Sequence, residues 1–197
     1  MERYLRDRVR VYRAHIPPDH AERAFAALRD TVAWQHPHYD NPDGRRVYLP
    51  RLTANCGEES YDYSGLTFDP LPWTPLLASL RDIAAALVDP PLNALILQRY
   101  RDGRDRVHWH ADDNPRQHQP VTIVSVSLGA SRTMQFRREA DKADKLSIAL
   151  HSGDVLVMRG DLQQTHRHRI PRTAAPCGER INLTFRSLRP DRSAPVR

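Results

Sequence analysis

His110 and Asp112 stand two positions apart, and His166 and His168 follow far down the chain. Imidazole nitrogens and a carboxylate oxygen suit iron(II). Two histidines and one carboxylate take one face of that ion and leave the other open for a cosubstrate and O2. On a strand, residues i and i+2 point to the same side, so His110 and Asp112 are predicted to face inward together, with a distant histidine completing the set. His166 and His168 share a face of a later strand, and spacing admits either. His151 is another candidate, but it abuts the turn Ser152-Gly153-Asp154 and reads as a loop residue. An isolated His-x-Asp is usually a solvated turn, so its weight comes from context.

The segment Arg180-Ile181-Asn182-Leu183-Thr184-Phe185-Arg186 supplies that context. Alternation puts Ile181, Leu183 and Phe185 on one face and Arg180, Asn182, Thr184 and Arg186 on the other. Two arginines flanking Asn and Thr make a lining for a small dianion. At about 3.3 Å per residue the two lie roughly 20 Å apart along the backbone, and their long arms are expected to converge on opposite ends of a short dicarboxylate through charge-assisted pairs. Gln98 and Tyr100 share one face of another apolar strand and can donate hydrogen bonds into the same cavity.

The elements that must position these groups fall into two parts. A strand candidate covers Arg8 to Ile16. Asp19-x-x-Glu22 reads as a capping box, followed by Ala21, Phe25, Leu28 and Val32 at helical spacing. Thr74-Pro75, a cap and a first-turn proline, opens a second helix with Leu76, Leu77, Leu80, Ile83, Ala84 and Leu87 on one face. From Leu92 the pattern changes to short strands: Ala94 to Tyr100, Arg106 to His110, Val121 to Leu128, Thr133 to Phe136, Leu146 to Leu150, Val155 to Met158, Thr165 to Ile170 and Arg180 to Arg186. Polar, Gly or Pro segments separate them, among them Arg101-Asp102-Gly103 and Asp113-Asn114-Pro115. Such a succession argues for an antiparallel sandwich or jelly roll with helices packed outside it. Asn55-Cys56-Gly57-Glu58 reads as a turn.

At 197 residues the chain is long enough for one domain with a core and short for two. With 40% hydrophobic and 27% charged residues it is too apolar for disorder. No apolar run approaches the roughly 18 residues a membrane span needs, and the charged start Met1 to Arg6 lacks the apolar stretch of a secretory signal. Cys56 and Cys177 show no metal-type spacing and are expected to be reduced thiols of a cytoplasmic protein. The net charge of +6, carried mostly by Arg, suits phosphate contacts without requiring them.

Taken together, His110-x-Asp112, His168-Arg-Ile-Pro171 and Arg180-x-Asn182-x-Thr184-Phe-Arg186 resemble the AlkB family of nucleic-acid dealkylating dioxygenases. Tyr100-Arg-Asp-Gly103 and Val124-Ser-Val-Ser-Leu-Gly129 look like further landmarks of it, and Tyr61-Asp-Tyr63-Ser-Gly65 is similar to the substrate lid of members acting on DNA. The resemblance spans about Arg51 to Arg186. It implies an α+β, mainly β fold: a double-stranded β-helix (jelly-roll) core over about 92–189, with N-terminal helices and the lid over about 1–91, in one dioxygenase domain covering 1–197.

The resemblance also implies Fe(II), 2-oxoglutarate and O2, and a monomer working on nucleic acid, DNA before RNA, away from membranes. Because the family's ligand directly precedes a short x-hydrophobic-Pro run, here Arg169-Ile170-Pro171, it selects His168 over His166, giving the set His110, Asp112 and His168. Gln98, Tyr100, Ser125, Arg180, Asn182 and Arg186 would bind 2-oxoglutarate. Tyr63 would stack on an extruded base opposite His110, with Asp113 at the base edge and Arg51, Tyr61 and Ser64 as further lid and substrate contacts. There are two departures: Gln98 stands where the family usually has Asn, and Asn114 where an acidic residue is common. Gln98 offers the same donor and acceptor on a longer arm, and Asn114 bears on substrate preference rather than chemistry. Competing readings are a 2-oxoglutarate-dependent hydroxylase of a protein or metabolite, and a catalytically silent nucleic-acid-binding β-domain.

Tyr63 separates these readings. If its ring stacks on a flipped base, Tyr63→Ala should lose about 1–3 kcal/mol of affinity for a methylated oligonucleotide, the usual range for base–aromatic stacking. Tyr63→Phe should lose much less, and both variants should keep parental iron and 2-oxoglutarate binding. Oligonucleotide titration beside melting curves checks this, and a folded Tyr63→Ala with parental oligonucleotide affinity would remove the stacking role.

Overall fold

A computed structural model describes residues 1–58, 61–63, 66–68, 70–89 and 91–190, with backbone alone for 61–63 and 66–68. Along the chain run β1 (Glu2–Tyr4), β2 (Val9–Tyr12), α1 (Pro18–Thr31), β3 (His38–Asp40), β4 (Arg46–Tyr48), β5 (Leu52–Gly57), β6 (Tyr61–Tyr63), β7 (Leu66–Phe68) and α2 (Pro75–Ala85). Then come β8 (Ala94–Tyr100), β9 (Val107–His110), β10 (Thr122–Gly129), β11 (Arg132–Arg138), β12 (Lys145–Leu150), β13 (Val155–Arg159), α3 (Leu162–Thr165), β14 (His166–Ile170) and β15 (Arg180–Arg186).

From β8 onward the strands are shared between two sheets. One has seven strands in the order β1-β2-β13-β10-β15-β8-β5, the other four in the order β12-β11-β14-β9, and all their ladders are antiparallel. This is the expected double-stranded β-helix. β15 lies inside the larger sheet between β10 and β8, and all seven of its residues are buried. Ile181, Leu183 and Phe185 pack with Val124, Val126, Leu95 and Leu97, and with Ala24 and Leu28 of α1 and Leu77, Leu80 and Ala84 of α2. The two helices therefore cover the outside of the large sheet. A second cluster, including Ile123, Leu156, Met158, Met134, Phe136, Ile148 and Ile170, fills the space between the sheets.

Local chemistry explains the helix starts. Thr74 Oγ1 accepts from Leu77 N (3.3 Å) and Pro75 occupies the first turn of α2, as its sequence predicts. The capping box expected at Asp19 does not form. Pro17 is the N-cap and makes no side-chain cap bond, and Pro18 opens α1. A residue before proline is held extended, and Pro at the first helical position loses no bond. The proline pair thus starts the helix before Asp19, leaving that carboxylate in the first turn, where the helix dipole favours it.

Two other expectations are corrected. Asn55, Cys56 and Gly57 form no turn. They belong to β5, paired with Ile96, Leu95 and Ala94 of β8. Asn55 and Cys56 are buried there, and burial pushes the Cys56 thiol up to about 11. The N-terminal part also supplies more than outer helices, because β2 and β5 extend both sides of the large sheet and satisfy backbone groups that would otherwise be open edges. Cys56 and Cys177 are free thiols, as expected. Among the described residues no helix is long and apolar enough to cross a membrane.

Gly129 ends β10 opposite Arg180, with φ +83°, and a Cβ there would lie 2.5 Å from Glu179 O and 2.6 Å from Phe25 Cε2. Gly160, at φ +69°, has nothing within 4 Å of a Cβ. Gly160→Ala should therefore cost only the left-handed penalty of about 1–2 kcal/mol. Gly129→Ala adds a backbone clash and should cost more, with Tm falling by roughly 2–4 °C per kcal/mol for a chain of this size. Thermal melts of the two variants check the order.

Candidate metal centre

His110 and Asp112 do not come together by strand alternation. β9 pairs with β14 through His110↔His168 and Val107↔Ile170, so three steps on one strand face two on the other. A bulge of this kind re-aims side chains. It lets Val107 and His110 both face the cavity, while His108 is exposed. β9 ends at His110, and Asp112 lies beyond it in irregular chain. Its peptide is held from both sides: Asp112 N donates to Gln163 Oε1 (2.9 Å), and Gln117 Nε2 donates to Asp112 O (2.9 Å).

His168 faces His110 directly, with ring centroids 4.2 Å apart. One ligand atom from each of His110, Asp112 and His168 lies within 4.8 Å of the others, close enough for one ion, and among the described residues no other such group exists. His110 Nδ1 sits 2.8 Å from His108 O. A carbonyl only accepts, so Nδ1 carries the proton and Nε2 presents a lone pair. The Asp112 and His168 side chains are 6% and 5% exposed and that of His110 is 23% exposed, so the open side of the centre is at His110.

Electrostatics prepares these groups as ligands. Burial pushes the Asp112 carboxyl up, but the Arg186 guanidinium, 2.8 Å from Oδ1, with His168 and His110, holds it well below its ordinary range. Burial, aided by His168 and opposed by Asp112, lowers His110 to about 4. At neutral pH the carboxylate is therefore ionised and the His110 ring neutral, the forms that bind a metal.

His166 is buried but stands apart, its Nδ1 2.9 Å from Thr165 Oγ1. His151 is exposed in a loop beside Ser131 Oγ (2.7 Å). Geometry thus makes the choice between the later histidines that spacing leaves open.

Beside the metal ligands, the polar face of β15 lines the same cavity. Arg180 Nη2 donates to Asn182 Oδ1 (2.7 Å) and Ser127 Oγ (2.9 Å), and its guanidinium lies 5.1 Å from the centre of the Tyr100 ring. Its Nε and Nη1 are buried without a partner. Burial pulls the Arg180 pKa down and Tyr100 opposes the shift. Ser125 Oγ donates to Asn182 Oδ1 (2.8 Å), Asn182 Nδ2 to Thr184 Oγ1 (2.7 Å), and Tyr100 Oη to Gln98 Oε1 (3.0 Å). All six residues expected to hold 2-oxoglutarate line one cavity with the metal ligands. The symmetric two-armed clamp is modified, since Arg186 is engaged by Asp112.

Of the expected substrate residues, Arg51 is buried in the cavity wall, its Nη1 donating to Arg106 O (3.4 Å). Asp113 is exposed, 3.9 Å from Arg167 Nη1. Ser64 and the side chains of Tyr61 and Tyr63 lie outside the described residues.

Sequence reasoning missed Ser127, Arg132, Gln117 and Gln163. The alternation Val124-Ser-Val-Ser127 could have found Ser127, which falls on the Ser125 face. Arg132 lies 5.4 Å over the Tyr100 ring and donates to the carbonyls of Asp105 and Pro171 (2.8 and 2.6 Å), contacts with no local signature.

The profile of the 2OG-Fe(II) oxygenase superfamily matches residues 8–186. The mouse protein called alpha-ketoglutarate-dependent dioxygenase alkB homolog 3 is 37% identical over 156 residues, covering 74% of this chain and 54% of its own length. The Arabidopsis thaliana protein called DNA oxidative demethylase ALKBH2 is 33% identical over 190 residues, covering 82% and 60%. The chain belongs to the 2OG-Fe(II) oxygenase superfamily and, within it, to the AlkB family. It spans only about half to two thirds of the relatives' length. The solved structure of OsALKBH1 shares the fold, with a TM-score of 0.65 at 18% identity over 94% of this chain and all of that one.

Fe(II) and 2-oxoglutarate are the cofactors of this superfamily, and the residues of this AlkB member fit both. The donor set is two imidazoles and one carboxylate, the combination for non-haem iron(II). The unpartnered Arg180 nitrogens ask for an anion beside it.

His110→Ala, Asp112→Ala and His168→Ala should each weaken Mn(II) binding by more than about 100-fold, beyond the 10–100-fold typical of supporting residues. His166→Ala should bind at the parental level. Titration followed by the free Mn(II) paramagnetic signal measures this, and the reverse pattern for the later histidines would reassign the third ligand.

Proposed function

We propose that the protein is an Fe(II)- and 2-oxoglutarate-dependent dioxygenase that oxidatively demethylates N-alkylated bases in DNA, and in RNA where a strand is presented to it. The observation that carries this reading is the neighbourhood of a two-histidine, one-carboxylate set and a buried arginine with two unpartnered nitrogens in one cavity. One relative is named an alpha-ketoglutarate-dependent dioxygenase and another a DNA oxidative demethylase, which supports this reading.

With its cofactors bound, the centre supplies an oxidation in which one atom of O2 enters succinate and the other the alkyl carbon, with release of CO2. The hydroxylated carbon stays attached to a base nitrogen as a hemiaminal. That bond breaks to give formaldehyde and the restored base.

The chain's own residues bind and orient. His110, Asp112 and His168 hold the ion, and Arg180 takes the distal carboxylate of 2-oxoglutarate, with Asn182, Tyr100, Gln98 and Ser125 fixing its position through the hydrogen bonds described. Arg186 keeps Asp112 ionised. On the open side, Arg51, Asp113 and the lid residues Tyr61, Tyr63 and Ser64 receive a base that has left the stack, a step made easier when alkylation has weakened its pairing. The free thiols agree with a cytoplasmic protein, and we take it to work as a monomer.

Anaerobic reconstitution with iron(II), then exposure to air with 2-oxoglutarate and methylated DNA or RNA oligonucleotides, should yield formaldehyde and succinate together. Succinate without formaldehyde on either polymer would move the substrate to another class. Arg180→Ala should raise the Kd for 2-oxoglutarate roughly 30- to 150-fold, the equivalent of about 2–3 kcal/mol, while iron content stays parental. Unchanged affinity would take the cosubstrate away from β15.

A further inference from the structure

Asp112 is the one metal-centre residue outside regular structure, so strand geometry does not fix it. Two buried carboxamides do. Gln163 is 5% exposed and Gln117 1%. Gln163 Oε1 accepts the Asp112 amide proton and Gln117 Nε2 donates to the Asp112 carbonyl, both at 2.9 Å. The backbone partners settle which atom of each carboxamide is which, because a peptide N–H can only donate and a carbonyl can only accept.

We infer that Gln163 and Gln117 are positioning residues for the metal site, gripping the Asp112 peptide so that its carboxylate stays aimed at His168 and His110. This rests on Asp112 being a metal ligand.

Three features carry it. First, the grip joins the two ligand-bearing segments. Gln163 sits on α3, which runs directly into β14 and His168, so its bond to Asp112 ties the loop after β9 to the strand of the other buried ligand. Second, both side chains are committed. Gln163 Nε2 rests on Met158 Sδ (3.5 Å), a cavity-lining residue, and Gln117 Oε1 is left buried without a partner. An unpartnered buried polar atom is destabilising, so packing alone would favour an apolar residue at Gln117. Third, the carboxylate has its own partner in Arg186. The ion pair sets charge, while the carboxamides fix the backbone from which the carboxylate projects.

Gln163→Met keeps the volume and removes the acceptor, Gln163→Glu keeps an acceptor oxygen, and Gln117→Met removes the donor from the other side. Mn(II) alone, without 2-oxoglutarate, is the probe, with Tm of the metal-free proteins measured in parallel. Gln163→Met and Gln117→Met should raise the Mn(II) Kd by about 10- to 100-fold, the range seen when outer supports of metal ligands are removed. Gln163→Glu should bind more tightly than Gln163→Met. If both methionine variants bind Mn(II) with parental Kd, whatever their Tm, the carboxamides are only packing and the inference falls. It falls equally if Gln163→Glu binds no better than Gln163→Met. Should Gln163→Met not fold, Gln117→Met carries the test alone. Asp112→Ala separates the two levels: parental Mn(II) affinity there would overturn the ligand assignment itself, whereas its loss beside intact methionine variants overturns only the grip.

Discussion

The contact between Arg186 and Asp112 holds two otherwise separate systems together. Both side chains are about 5% exposed, and Nη2 lies 2.8 Å from Oδ1. Removing one member of such a buried pair generally costs about 3–5 kcal/mol, because the other charge is left uncompensated. The pair therefore requires β15 to bring its final residue to the metal side of the barrel, and the loop after β9 to bring Asp112 within reach. It also keeps the carboxylate ionised despite burial. Anion pocket and metal centre thus share one strand.

At the other end of β15 the situation is inverted. Arg180 is as deeply buried, yet its partners are the neutral Ser127, Asn182 and face of Tyr100, and the Arg132 guanidinium over the same ring adds like charge. Burial of both arginines is possible only because β15 lies inside a closed two-sheet arrangement, with one face in the helix-covered core and the other in the cavity. A strand at a sheet edge would have kept these side chains in water, where a guanidinium gains little from any anion.

Much of this was legible in sequence because it is periodic. β8 and β15 occur with the bounds their alternation implies, and α2 begins at Thr74-Pro75 because cap and proline are local signals. What periodicity cannot encode is where regularity stops. The spacing of His110 and Asp112 suggests one strand face, and the residues do converge, but through a bulge in β9, a strand end at His110 and two glutamine contacts from elsewhere in the chain. His166 and His168 are equivalent by period, and only the pairing of β14 with β9, which sets His168 opposite His110, distinguishes them. The turn expected at Asn55 is absent for a related reason. Asn and Gly mark turns when only local propensity is considered, whereas pairing with β8 absorbs both into a buried strand.

The site is divided along the same line. The metal ligands and the surroundings of Arg180 come from β8, β9, β10, β14 and β15 and the loop after β9, all in the part of the chain that reads as alternating strands. Arg51 comes from the N-terminal part, and Asp113 from the irregular stretch past β9. The cavity opens toward His110, the least enclosed ligand, and Arg51 is buried in its wall. A buried, mutually hydrogen-bonded set tolerates little change, since each member leaves another unsatisfied when altered. An exposed Asp113 carries no such penalty. The metal ligands and the Arg180 cluster are therefore the constrained part of the site, and the exposed stretch past β9 is the freer one. Gln98 and Asn114 fall on the two sides of that division: Gln98 within the Tyr100 hydrogen-bond chain, and Asn114 next to the exposed Asp113.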